Sequence, residues 1–202
     1  DLAGYDLELL KLFFNCSSTI QLVGDPRQGT YSTNSAPKNK QFKKANIINF
    51  FTDKIDNLIK DDTSLMTNYR CNKAICDLSN KLFPNFKATT SGNNIKTEHS
   101  GVFFIKKQDV ENYLQKFKPV QLRDTRRTIV NDNYRVMNFG ESKGLGFDRV
   151  LIYPTKPILD FILKNKNLDG TSRAKFYVAI TRARYSVGIV YNFKDSDNVE
   201  SI

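Results

Sequence analysis

Histidine occurs once, at His99, cysteine three times and tryptophan not at all in the 202 residues. Histidine-based catalysis is therefore unlikely to organise this chain, and Cys16, Cys71 and Cys76 fall in neither a zinc-binding nor a dithiol redox spacing. No metal site is expected, and the cysteines read as small buried hydrophobes. No apolar run approaches the roughly 18 to 20 residues that span a bilayer, and no signal-peptide pattern opens the chain. Both absences place the expected location in the cytoplasm, away from a membrane. The stretch 140–148 holds three glycines around Lys143 but lacks the P-loop order of Gly, four residues, then Gly-Lys-Ser/Thr. It is not by itself a nucleotide cradle.

What is present is positive charge and enough apolar material for a core. Thirty-one Lys and Arg against 21 Asp and Glu give a net charge of +10, which favours polyanions, nucleic acid first. Hydrophobic residues make up 40% of the chain and aromatics 12%, sufficient to build one large or two small domains. Apolar spacing predicts a helix around Leu7 to Phe14, a buried strand over 19–23, a helix carrying Ile47 to Ile59, and a short strand over 63–67. A helix with Ile75, Leu78 and Leu82 follows, then a loop over 84–100, a strand over 102–105, a helix over 109–117 and a strand over 119–122. Strands over 134–139 and 149–153, a helix over 157–163, a helix capped by Thr171 or Ser172, and a strand over 185–191 complete the chain. Strands alternating with helices argue for an α/β fold with a mostly parallel sheet flanked by helices.

Residues suited to a phosphate ligand stand where these elements end. Residues 176–184, Phe-Tyr-Val-Ala-Ile-Thr-Arg-Ala-Arg, set an apolar helical face beside Arg182 and Arg184. Such an arginine could stabilise charge on a transferring phosphoryl group, or simply complement a helix C-terminus. Asn68-Tyr69-Arg70 offers an aromatic and a guanidinium side by side, for a base and a phosphate, or else for the core and a helix cap. Gly24-Asp25-Pro26-Arg27-Gln28 puts a carboxylate and an amide after a predicted strand, where an open sheet binds ligands, or forms a plain turn. Residues 32–44, with Lys38, Lys40, Lys43 and Lys44, read as an exposed basic loop or a solvated linker.

In this order the segments resemble the UvrD/Rep-like helicases of superfamily 1 over nearly the whole chain. Asp1 resembles the end of a Walker B motif, 23–28 with Tyr31 the third motif, 68–70 the fourth, 136–148 the fifth and 177–183 the sixth. The resemblance implies a RecA-like second lobe over 46–202, with the helical insertion reduced or absent, and the tail of a first lobe over 1–45. It implies ATP with Mg²⁺ as cofactor, the metal held mainly by an upstream part that also completes the site. Arg182, Arg70 and Gln28 are the implied catalytic residues, and Tyr69, Asp25, Lys143 and Gly144 bind the nucleotide. Tyr31, Asn138, Lys38 and Lys40 face DNA. The implied partners are single-stranded or duplex DNA, the missing lobe, and a nuclease or other DNA-processing protein. RNA is disfavoured by the form of the fifth motif. Gly146 replaces a glutamate that holds the ribose, Gly140 replaces a DNA-facing histidine, and no Gly-Trp-Arg follows Tyr31. These departures leave a second reading, a non-catalytic nucleic-acid- or partner-binding module on a degenerate lobe. On the motor reading the isolated chain is inactive, and loss of Arg182 abolishes turnover in the longer protein while leaving the lobe folded.

Overall fold

A computed structural model describes residues 1–16 and 19–194. The chain divides into two compact units, Asp1–Asp61 and a second beginning at Asp62.

In the first unit α1 (Tyr5–Phe14) and α2 (Ile47–Lys54) flank three single turns of 3₁₀ helix, Pro26–Gln28, Lys40–Phe42 and Lys44–Asn46. The core is small: Leu7, Phe42 and Phe50 are buried, with Ile47, Phe51 and Ile55 packed against them. Edge-to-face contacts at 5.5 and 5.7 Å join Phe42, Phe50 and Phe51. The helix expected to run to Ile59 stops at Lys54, because Ile55 turns to extended backbone, and Ile59 is exposed. The strand predicted over 19–23 does not form, and Leu22 and Val23 are exposed. A strand needs a neighbour for its N–H and C=O groups, and no described residue of this unit is in a strand.

The second unit is the predicted α/β layer structure. Its short β1 (Thr67–Asn68) leads into α3 (Lys73–Leu82) and pairs in parallel with β2 (Thr90–Ser91), which arises within the stretch read as a loop. Then come β3 (Gly101–Ile105), α4 (Val110–Phe117), β4 (Val120–Arg123), β5 (Val136–Asn138), β6 (Phe147–Tyr153), α5 (Lys156–Lys164), α6 (Gly170–Ile180) and β7 (Ala183–Val190). The five longer strands form one sheet in the order β3-β7-β6-β4-β5, every pairing parallel. Central β6 and β7 bury Val150, Leu151, Ile152, Val187 and Ile189 completely, as expected of strands covered on both faces.

Three local expectations are corrected. The N-cap of α6 is Asp169, whose Oδ1 accepts from the backbone N–H of Thr171 and of Ser172 at 2.9 Å. A carboxylate outcompetes the two hydroxyls because it also complements the helix dipole. The helix does not bury one face only: all five residues from Phe176 to Ile180 are buried. It packs against α3 and α5 as well as against β6 and β7, so no side is left to solvent at its end. Of the cysteines, Cys71 and Cys76 are buried as expected, whereas Cys16 is exposed near the end of α1.

His99 stacks on Phe117 with ring centres 4.7 Å apart and lies 4.0 Å from Phe103. Its carbonyl accepts from Arg149. Burial, then the charges of Arg149 and Lys116, hold its imidazole below the ordinary histidine range, and Glu98 opposes them. A depressed histidine pKa means that the unfolded chain binds the proton more readily. Its stabilising contribution is complete above about pH 6.5 and is lost as pH falls through the lower folded value. Urea unfolding is therefore expected to show the chain less stable at pH 5.5 than at pH 7.5. His99→Phe is expected to flatten that slope; an unchanged slope in the variant would remove His99 as its cause.

Candidate nucleotide site

Because the sheet is parallel, β6 and β7 begin at the same edge, with Phe147 opposite Ala183. Helix α6 ends there. Thr181 closes it, its hydroxyl donating to the Tyr177 carbonyl at 2.8 Å, and Arg182 bridges helix to strand. Arg182 is buried, 3% exposed. Its Nε donates to the Val178 carbonyl at 3.1 Å, Nη1 to the Leu145 carbonyl at 3.2 Å and Nη2 to Thr181 Oγ1 at 3.3 Å. Its own carbonyl accepts from the Phe147 N–H at 2.8 Å. Main chain and side chain together thus grip the turn that enters β6.

Arg70 reaches the same turn from another part of the chain. Asn68 Oδ1 accepts from the N–H groups of Arg70 and Cys71 at 2.9 and 3.0 Å, a side-chain turn that sends Tyr69 and Arg70 outward. Tyr69 is 79% exposed, and its ring lies close over Gly92, where an added Cβ would stand 2.7 Å from Cδ1. The exposed Arg70 donates from Nη1 to the Thr181 carbonyl at 3.4 Å. The Arg184 carbonyl accepts from the Asn72 N–H at 3.1 Å, fastening this loop to the start of β7. Lys143 and Gly144 precede the turn, and Gly144 has φ +84°, a left-handed value that suits glycine.

The structure therefore brings Arg70 and Arg182 to the turn that follows Lys143 and Gly144, while Tyr69, on the same loop as Arg70, lays its ring over Gly92. Asn138 stands apart, at the carboxyl end of β5, where Glu141 accepts from its side-chain amide and its backbone N–H, each at 3.0 Å. The remaining predicted residues belong to the first unit. Asp25 caps the Pro26–Gln28 turn and accepts from Arg27 Nε at 2.8 Å and Gln28 Nε2 at 3.1 Å. Burial by itself would raise that carboxyl, but the bonds and charge of Arg27, with Gln28, hold it below the usual carboxylate range. Tyr31 and Lys40 are exposed, and Lys38 lies 3.9 Å from Glu8.

Among the described residues no cluster of three or more His, Cys, Asp or Glu is gathered as a metal site. No described helix is long and apolar enough to cross a membrane.

Residues 5–191 match the viral superfamily 1 RNA helicase core domain. The chain belongs to this family. The superfamily is the one the motifs pointed to, while the match names the viral RNA helicase core rather than the UvrD/Rep branch. Solved structures similar to this helicase core domain include the PRRSV nsp10 helicase, at 20% identity and TM-score 0.40 over 67% of this chain. The Arterivirus nonstructural protein 10 helicase with DNA aligns at 20% identity and TM-score 0.41 over 63% of it. The C-terminal domain of a possible DNA helicase from Lactobacillus plantarum WCFS1 aligns at 14% identity and TM-score 0.39 over 61% of this chain and 86% of its own. The chain spans 26% of the PRRSV protein and 25% of the Arterivirus one. No curated protein matches significantly.

Arg184, which the sequence set beside Arg182 but did not single out, borders the same turn. It is exposed, and Nη1 donates to Asp148 Oδ1 at 2.8 Å. The available signal was alternation: as the second residue of a strand whose first, Ala183, is buried, position 184 faces the other way.

Proposed function

We infer that this chain is the C-terminal part of an ATP-dependent superfamily 1 helicase or translocase. The resemblance assigns 46–202 to its second RecA-like lobe and 1–45 to the end of its first, while the compact units divide at Asp61/Asp62. The observation that carries this reading is the convergence of the exposed Arg70 with the Arg182-held entry to β6, beside an exposed aromatic, Tyr69, on the same loop as Arg70. Tyr69 offers an open π face to adenine, and Arg70 a charged donor to the terminal phosphate of ATP. Phosphoryl transfer needs positioning and charge more than covalent chemistry, so a lobe can contribute mainly arginines. Arg182 enters as the residue that fixes the turn. For it to reach a phosphate as well, its donors must leave the Leu145 and Val178 carbonyls when nucleotide closes the site. By the resemblance Asp25 and Gln28 are assigned as nucleotide residues of the first unit, Lys143 and Gly144 to the turn held by Arg182, and Tyr31, Lys38, Lys40 and Asn138 to the nucleic-acid strand.

Mg²⁺ is assigned to residues outside these 202. When bound it neutralises charge on the β- and γ-phosphates. The first unit also supports a longer lobe. Tyr5, Leu9, Leu12, Phe13, Leu22 and Val23 expose apolar surface that a finished domain would cover. The bound strand is assigned as DNA, from the form of the fifth motif. The test is ATP turnover by a longer protein that includes this chain and an upstream P-loop lobe. Single-stranded DNA is expected to stimulate it more than single-stranded RNA, and the isolated chain to show none. Turnover by the isolated chain contradicts the two-lobe assignment, and stronger stimulation by RNA contradicts the assignment of DNA.

A further inference from the structure

The turn that Arg182 holds carries a glycine, Gly146, whose open side faces two guanidinium groups. A Cβ placed there would lie 3.6 Å from Arg184 Nη2 and 3.7 Å from Arg70 Nε, with no other non-neighbouring atom within 4 Å. Two like charges from segments more than a hundred residues apart thus approach one point that no side chain fills. Among the described residues the neutralising contact is the bond from Arg184 Nη1 to the exposed Asp148, which leaves Nη2 directed at Gly146. The arrangement is built rather than incidental. The Arg184 carbonyl accepts from the Asn72 N–H at 3.1 Å and from Asn93 Nδ2 at 3.3 Å, and Asn93 Nδ2 also donates to the Arg70 carbonyl at 2.7 Å. One amide therefore ties both arginine backbones together.

We propose that Arg184 is a second phosphate-contacting residue of the nucleotide site, and that the glycine at 146 makes room for a phosphate oxygen between Arg184 Nη2 and Arg70 Nε. The proposal rests on the nucleotide reading above and redistributes roles within it. Arg182 is buried and its three nitrogens already donate to protein oxygens, so the solvent-facing pair is Arg70 and Arg184. A single oxygen bridging two guanidinium donors relieves their mutual repulsion and gains charge-assisted hydrogen bonds from both. A side chain at 146 would occupy that space, and a carboxylate there would neutralise the pair internally.

Phosphate of this kind is carried both by a nucleotide and by a nucleic-acid backbone. We assign the site to the nucleotide, because Tyr69, next to Arg70 in the chain, is exposed and offers an open aromatic face on the same loop. The test measures binding of ATP, inorganic tripolyphosphate and a single-stranded oligonucleotide to the full 202-residue chain by calorimetry. It compares wild type with Arg184→Ala, Gly146→Leu and, as a control for net charge, Lys164→Ala on α5. Arg184→Ala and Gly146→Leu are each expected to weaken ATP and tripolyphosphate by about tenfold or more and to leave the oligonucleotide unchanged. Lys164→Ala is expected to change none. Circular dichroism establishes that each variant is folded, and Arg184→Lys, which keeps the charge, is expected to restore part of the affinity. ATP binding at wild-type strength in both site variants overturns the proposal while leaving the helicase reading intact. Loss confined to the oligonucleotide reassigns the pair to a nucleic-acid phosphate and overturns it also. A wild-type chain that binds neither phosphate probe overturns it too, whereas the helicase reading is judged separately, by turnover in the longer protein.

Discussion

Arg70→Ala, introduced into a longer protein that carries this chain, is expected to lower nucleic-acid-stimulated ATP turnover by about three to five orders of magnitude. The same change is expected to alter folding stability by no more than about 0.5 kcal/mol. The asymmetry follows from exposure. Arg70 is solvent-facing, and its recorded side-chain bond is a single long contact, 3.4 Å, to the Thr181 carbonyl. That carbonyl also accepts weakly from the Cys71 thiol at 3.5 Å, so it is not orphaned by the substitution. The anchoring of the loop depends instead on Asn68, Asn72 and Asn93, which the substitution leaves in place. Single-turnover ATP hydrolysis paired with urea unfolding measures both sides of the expectation. A turnover within tenfold of wild type would remove Arg70 from the chemistry.

Arg182→Ala is expected to behave differently: it should destabilise this chain by about 2–5 kcal/mol before any question of turnover arises. Removing the guanidinium takes a donor from the part-buried carbonyl of Leu145, from Thr181 Oγ1 and from the buried carbonyl of Val178, which keeps a second donor in the Thr181 hydroxyl. A buried acceptor left unpaired costs about 1–3 kcal/mol, and truncating a long buried side chain adds a cavity to that. Against a total stability of about 5–15 kcal/mol for a domain, the loss is large enough to lower the urea midpoint visibly. The motif by itself predicted a lobe that stays folded without Arg182; the buried geometry adds that the folded lobe is measurably less stable. Arg182→Lys recovers little of the loss in this account, since one ammonium cannot reproduce the planar fork that spans three acceptors. Should Arg182→Ala unfold within about 0.5 kcal/mol of wild type, the clamp role is wrong and the residue is free for a direct phosphate contact. Together the two variants separate a guanidinium that meets the ligand from one that shapes the surface the ligand meets.

Much of the second unit was legible in advance because its information is local. The strand at Val102 to Ile105, the helix bearing Val110, Tyr113 and Leu114, and the β-branched run before Pro154 all appear where periodicity put them. Their burial on the sheet writes itself into residue type at spacings of two or of three and four. The first unit was less readable for the same reason. Residues 19–23 have strand-forming composition, yet a strand exists only when another backbone pairs with it, and composition carries no information about the partner.

The site divides along the same line. Sequence by itself determined the superfamily, the parallel α/β layering and the positions of Tyr69, Arg70 and Arg182, since each lies in a short run with its own local pattern. Only the tertiary structure decided which arginine faces solvent. Position 182 is sealed by carbonyls from a helix and a turn 37 residues away, while 70 and 184 meet over Gly146. Convergence of segments so far apart in the chain is set by the sheet order, which puts β7 beside β6, and by the bonds of Asn72 and Asn93 that fasten the Arg70 loop to the start of β7. That order is a property of the packed whole, and no window of neighbouring residues contains it.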